Sequence, residues 1–430
     1  MMERYCCIAS FFLGRTGFYL LLVVLPGSLL AAEWTAAPSL ELYQSYNDNI
    51  YLSSSVHPNV STTTIKPKMD FGWETERANI DLRGDWKYNQ YAGDPNLVNR
   101  TDSKYELKSA YKTERSEFSL DGSYVNDTTL AQEDYSEDIG VTLAQLDRKT
   151  STIAPAWSWM LDERSNLRLD LSYQDVAYEK SVINPYNDYR YDSSGLTYTF
   201  QWSARNQIYA LLSKSRYNSK NNALIPAIEM PSISRYLGSD SDTLTYQIGL
   251  NHQFSATFKA GLGYGSRDSE SRTQYQYCTQ PTIYGCFAST EIQTSSSTTS
   301  PVYTISADKD FELTKLGVNL SRTVSGSGLG SEMDVDSLSL NIDRRISERL
   351  RLKFKFLANQ RIAVNSDFSS YDRKYFRGDV NLGWKLDRNW NLYARYGYTR
   401  QRYETTNSVA TSNNISLNIR YSWDRFSKSR

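Results

Sequence analysis

The sequence predicts an all-β fold, a transmembrane antiparallel up-and-down β-barrel of about eighteen strands. Three observations predict it. Apolar and polar residues alternate from Thr62 to the C-terminus, tight turns and long polar loops take turns in joining the segments, and a secretion signal stands in front. One segment carries the pattern plainly. Leu350, Leu352, Phe354 and Phe356 interleave with Arg351, Lys353 and Lys355, so a pleated strand sends the first set to one face and the second to the other.

The elements follow in order. Arg4 and Arg15 precede an apolar run, Phe18 to Leu30, which is short for a membrane span and ends in Ala31 and Ala32. Residues 1–32 therefore read as a cleaved signal peptide, with an uncleaved anchor as the alternative, and residues 33–430 as the barrel. After Pro38 a first strand, Ser39 to Tyr46, enters a polar loop with Asn47, Asp48 and Asn49. The second strand presents Ile65, Met69, Phe71 and Trp73 on one face, and a turn at Thr75 to Arg77 returns the chain through Ile80, Leu82 and Trp86. This unit repeats, with further turns at Thr113–Arg115, Asp162–Ser165, Ala204–Asn206, Ser255–Ala256, Glu312–Thr314, Ser347–Arg349 and Asp387–Asn389. Long loops are expected at Asn89–Asp102, Asn126–Arg148, Gln174–Arg190, Asn218–Asp240 and Arg267–Ser300. Bacterial barrels keep short turns in the periplasm and long loops outside, which sets the orientation.

Aromatic placement agrees with that orientation. Trp73, Trp159, Trp202, Trp384, Trp390 and Trp423 fall at strand ends beside short turns or the C-terminus, and Tyr88, Tyr124, Tyr173, Tyr264 and Tyr398 fall at the opposite ends. Interfacial girdles produce this distribution, whereas a sandwich core would draw aromatics to strand middles.

Composition narrows the function classes. The 430 residues include 33 Tyr but only 2 His, and 48 Lys and Arg balance 48 Asp and Glu. The balance argues against a nucleic-acid partner. Hydrolytic barrels need a His beside a nucleophile, yet His57 lies in the first loop and His252 shares the lipid-facing parity of Leu250 and Phe254. No enzyme activity, catalytic residue, cofactor or metal is expected. Cys278 and Cys286 are the only cysteines beyond the signal peptide. In an oxidising envelope compartment they are expected to form a disulfide.

A barrel of this size encloses an aqueous lumen. By parity its wall carries Lys66, Lys68, Asp70, Asp81, Arg83, Asp85, Lys104, Glu106, Lys108, Arg168, Asp170, Asp343 and Arg345. Closure would gather Lys66, Lys68, Arg351, Lys353, Lys355, Arg377, Arg395 and Arg420 onto one arc, opposed locally by Glu41, Asp70 and Asp379. Such a pore-lining basic arc either attracts anions or belongs to a salt-bridge lattice that stiffens the wall. Tyr393 and Tyr43 face inward and could stack on sugar rings or simply pack. The Ser/Thr tract Thr294–Ser300 and the disulfide loop suit either a partner-binding, adhesive surface or a solvated loop.

Two stretches resemble known features. Ile415, Leu417, Ile419, Tyr421 and Trp423 alternate with polar residues, which is similar to the C-terminal signal that presents outer-membrane proteins to the barrel-assembly machinery. Here Asp424–Arg430 follow the aromatic, with Phe426 as an alternative terminus. Residues Pro38 to Ser53 read PSLELYQSYNDNIYLS, with Tyr46, Asp48, Asn49 and Ile50 forming a Tyr-x-Asp-Asn-hydrophobic motif. The stretch resembles the opening of outer-membrane β-barrel porins associated with exopolysaccharide loci. That resemblance implies a Gram-negative outer-membrane pore that exports an exopolysaccharide, with a periplasmic polysaccharide-export protein as partner besides outer-membrane lipid and lipopolysaccharide. The alternatives from the residues themselves are a diffusion porin for small anionic solutes and a structural or adhesive barrel.

Overall fold

The computed structural model describes residues 32–131, 145–180, 186–221, 235–282, 285–365, 368, 370 and 372–429. The expected signal peptide, except Ala32, lies outside these residues. The chain forms one closed antiparallel meander. Its strands are β1 (Glu33–Asn47), β2 (Val60–Glu74), β3 (Ala78–Ala92), β4 (Arg100–Lys112), β5 (Ser116–Thr128), β6 (Asp147–Met160), β7 (Ser165–Tyr178), β8 (Asp188–Ser203) and β9 (Asn206–Lys220). They continue as β10 (Arg235–Ser255), β11 (Phe258–Thr282), β12 (Gly285–Asp310), β13 (Thr314–Ser325), β14 (Met333–Arg345), β15 (Leu350–Ala363), β16 (Arg373–Lys385), β17 (Trp390–Tyr403) and β18 (Val409–Ser422). A four-residue β19 (Phe426–Ser429) follows.

Each strand pairs with its neighbour in sequence, and β1 pairs with β18 to shut the barrel, Leu42 opposite Ile419 and Tyr46 opposite Ile415. Closure satisfies the main-chain groups that an open sheet would expose to lipid. Eighteen long strands result. β1 starts at Glu33, ahead of the expected Ser39, because its first residues pair on both sides, with Gly72–Glu74 of β2 and with β19. Pro38 sits within that strand opposite Met69.

Alternation sets the two surfaces. Leu42, Ile65, Met69, Leu82, Ile248, Leu262, Ile415 and Leu417 all point outward and are exposed on the isolated chain, which places an apolar band against lipid. The short turns are fixed by their first polar side chain. Thr75 Oγ1 accepts the Ala78 amide at 3.0 Å, Thr113 Oγ1 the Ser116 amide at 3.0 Å, Asp162 Oδ1 the Ser165 amide at 2.8 Å and Ser347 Oγ the Leu350 amide at 3.1 Å. Such residues stabilise a turn by bonding main-chain groups a few positions on.

The expected loop Arg267–Ser300 is a correction. β11 and β12 continue as a ladder from Phe258–Lys309 to Thr282–Gly285, and β11 stays paired with β10 as far as Gln276, so this connection is a long hairpin whose lower part belongs to the wall. The Thr294–Ser300 tract is strand, paired with Thr273–Arg267. Cys278 is disulfide-bonded. The side chain of Cys286 lies outside the described set, so its pairing with Cys278 stays an expectation.

Candidate functional site

A cavity of about 970 Å³ opens at the short-turn end of the lumen. β1 and β14–β18 wall it, and the turn Ser347–Arg349 forms its rim. Five of these strands follow one another directly in sequence and β1 closes onto the last, so successive strands deliver inward residues at a common level. The expected arc residues Arg351, Lys353, Lys355, Arg377, Arg395 and Arg420 all line it, with Tyr43 and Tyr393. Sequence reasoning placed Arg345 on the wall but outside the arc, and it did not single out Arg349 or Lys385; all three line the same cavity. Among the described residues nine Lys and Arg line the cavity with two carboxylates, Glu348 and Asp379, and two more, Glu41 and Asp343, pair with these cations from the same wall.

Lys66 and Lys68 fall elsewhere. Neither lines the cavity. Lys66 lies 3.9 Å from Asp85 and Lys68 lies 3.7 Å from Asp70 on the adjoining wall, where Arg83 also bonds Asp70 at 2.6 Å and Lys104 bonds Glu106 at 2.9 Å. That wall is charge-balanced.

Within the cavity some cations are also paired. Asp379 accepts from Arg377 Nε and from Arg395 Nη2, both at 2.7 Å, and Arg420 bonds Glu41. Asp343 lies 3.4 Å from Arg351 and 3.7 Å from Lys353. Lys355 pairs with no carboxylate among the described residues. Arg420 also sits over the Tyr393 ring at 5.3 Å. Both readings of the arc are thus represented: a lattice fixes Arg377 and Arg395, while an excess of positive charge remains in contact with water.

At the opposite, long-loop end side chains and chain pack inside the wall. Arg267, Arg361, Arg373, Tyr375 and Gln401 point inward and are at most 3% exposed. The connection between β13 and β14, Gly326 to Glu332, is buried throughout. It folds into the mouth instead of out into solvent. Tyr217 Oη donates to the Ser327 carbonyl at 2.5 Å, the Asn187 amide to the Gly328 carbonyl at 2.6 Å, and Tyr236 Oη to the Gly330 carbonyl at 3.2 Å. Leu329 enters a cluster of Leu146, Val176, Tyr178, Tyr186, Tyr189 and Tyr217. Glycines are required here by space. A Cβ on Gly328 would meet Tyr178 Oη at 2.6 Å, and Gly330 has φ +94°.

The segment ends in a polar anchor. Glu332 Oε2 accepts from Ser241 Oγ at 2.6 Å and Thr243 Oγ1 at 2.8 Å, and the next acidic residue, Asp334, pairs with Arg267 at 2.5 Å and 2.8 Å. None of this was read from the sequence. A Gly-rich connection signals a turn, and only the tyrosines β9 and β10 carry, about a hundred positions away, decide that it turns inward.

Trp159, Trp202, Trp384, Trp390 and Trp423 are exposed near short-turn ends. Trp73 packs against Trp34, with ring centroids 6.1 Å apart, at the same end. Tyr88, Tyr173, Tyr264 and Tyr398 are exposed toward the other end, and Tyr124 lies beside Tyr105 at 6.4 Å. His252 bonds Asn206 at 2.6 Å and lies edge-on to Phe254, and the described residues contain no cluster of metal-binding side chains.

No family model matches the chain, and no curated protein matches its sequence. Solved outer-membrane proteins resemble it in shape. OccAB2 of Acinetobacter baumannii aligns with a TM-score of 0.44 and 11% identity, over 91% of this chain and 98% of its own. OpdK of Pseudomonas aeruginosa with vanillate gives 0.44 and 12%, over 91% and 99%. The ferric-catecholate import receptor Fiu of E. coli K12 gives 0.44 and 8%, over 90% and 81%. The likeness to all three stops at the barrel.

Proposed function

We propose that the chain is an outer-membrane channel for small anionic solutes. One observation carries this reading: the excess of cationic side chains around the cavity at the short-turn end, nine against four carboxylates once Glu41 and Asp343 are included. Low-dielectric walls focus such a field on the lumen, raising the local concentration of anions, and salt weakens it over about 8–10 Å. The barrel is inserted by the assembly machinery and surrounded by lipid and lipopolysaccharide.

Export of an exopolysaccharide, with a periplasmic partner at the short turns, is the second reading. The Pro38–Ser53 resemblance favours it, as do Tyr43 and Tyr393 in the cavity. It requires the Gly326–Glu332 segment, which is buried inside the mouth, to move aside for a polymer.

The test is reversal potential in planar bilayers at low salt. Lys353→Glu with Lys355→Glu should move selectivity toward cations with little loss of folded yield. Unchanged selectivity in a folded, conducting variant would remove the anion reading.

A further inference from the structure

We propose that the segment Gly326 to Glu332 is a movable gate that closes the long-loop mouth in acid and is released toward neutral pH through Glu332. This deepens the channel reading and rests on it. The argument begins with how the segment is held. Its fastening bonds go chiefly to main-chain carbonyls, from Tyr217, Asn187 and Tyr236, and Leu329 is its one large apolar side chain. Three glycines among seven residues lose more chain entropy on docking than other residues would, which lowers the net stability of the docked state.

Glu332 sits where the segment meets the wall, at the level of Ser241 and Thr243, just outside the apolar band that starts with Leu244. β10 offers it hydroxyls and no charge. β11 offers Arg267, but that guanidinium is committed to Asp334 through two bonds, and Asp334, on β14, repels Glu332. The connection after β15 offers the Val364 amide, which bonds the Glu332 carbonyl at 3.0 Å, and Asn365, whose amide bonds Ser331. Glu332 Oε1 has no hydrogen-bond partner among the described residues. A docked, ionised Glu332 is therefore half-satisfied, whereas a protonated one loses little. Burial pushes its carboxyl up from 4.5 to about 6, against the lowering effect of the two hydroxyls and Arg267.

The sign follows from linkage. The docked segment binds the proton more tightly than the released one, so the added docking stability is fully present below about 4.5 and is lost as pH rises through about 6. A difference of this size changes the docked-to-released ratio by roughly thirtyfold.

The test is conductance of the purified full chain in planar bilayers from pH 4.5 to 7. Wild type should open as pH rises; Glu332→Gln, neutral throughout, should stay mostly closed with a flat profile. Tyr217→Phe with Tyr236→Phe should raise the open fraction at every pH while keeping the slope. A second readout is maleimide labelling of Leu329→Cys, normalised to the exposed Ser54→Cys, which should quicken toward neutral pH in an otherwise wild-type chain but not alongside Glu332→Gln. A Glu332→Gln profile that tracks wild type in either readout overturns the gate. A chain lacking residues 327–331 separates the two ideas: conductance from it, with a pH-independent wild type, sinks the gate alone. Silence from that folded deletion variant sinks the channel reading and the gate with it.

Discussion

Asp48 holds Asn413 at both ends of its carboxylate, Oδ1 accepting from the backbone amide at 2.6 Å and Oδ2 from the side-chain amide at 2.7 Å. The two residues stand 365 positions apart. Asn47 Oδ1 adds the Ser412 hydroxyl at 2.8 Å, and Asn49 Nδ2 donates to the Thr411 carbonyl at 2.9 Å. The Asn47-Asp48-Asn49 motif is thus a clasp between the first long strand and the last, at the long-loop rim.

Breaking that clasp should loosen the closure without altering the pore. Asp48→Ala leaves two donors of Asn413 without their acceptor and should cost about 1–3 kcal/mol. Urea midpoints of Asp48→Ala, Asn413→Ala and the double variant, measured in lipid or detergent, give the coupling. Strictly additive midpoints would mean that the pair contributes nothing.

Orientation can be read on intact cells. An impermeant thiol reagent should label Lys180→Cys, in the connection between β7 and β8, and should spare Glu163→Cys, in the short turn after β6. Reversed labelling would invert the barrel.

The lipid face admits a one-residue test. Leu382 points outward and is exposed on the isolated chain, while its neighbour Asn381 lines the cavity. Arginine at 382 meets the bilayer and should cost roughly 2–4 kcal/mol, whereas arginine at 381 meets water. Equal folding yields for Leu382→Arg and Asn381→Arg would contradict the register.

Asp379 separates scaffold from selectivity. It is the shared acceptor of Arg377 and Arg395, so Asp379→Asn should cost about 1–3 kcal/mol in heat stability. The same change leaves one carboxylate in the cavity lining, so anion preference should rise at low salt. A stability loss with unchanged reversal potential would assign these arginines to the wall alone.

Most of the barrel was legible because lipid and lumen impose opposite chemistry on alternate residues. Leu352 against Lys353 and Leu382 against Asn381 carry that contrast wherever a strand crosses the bilayer. The contrast vanishes above it. From Arg267 to Gln274 the alternation persists, with Ser269, Ser271 and Thr273 buried between exposed Asp268, Glu270, Arg272 and Gln274, but both sets are polar and carry no apolar signal, and Ser and Thr run in succession from Thr294 to Ser300 although the ladder continues. Parity names the inward cations of β15–β18, but it does not fix which carboxylate a long side chain reaches: Lys66 and Lys68, on β2 beside β1, turn to Asp85 and Asp70. Arg349 and Lys385 were overlooked because they sit at the turn margin, where parity gives way.

The hairpin of β11 and β12 changes what an approaching particle meets. β12 pairs with β13 only from Tyr303 onward, so among the described residues 289–302 have no ladder partner on its outer edge. At about 3.3 Å per residue that edge is roughly 45 Å long. A strand edge left open in this way presents main-chain amides and carbonyls to which a further strand can add whatever its side chains, so substitutions among its Ser and Thr residues leave that template intact.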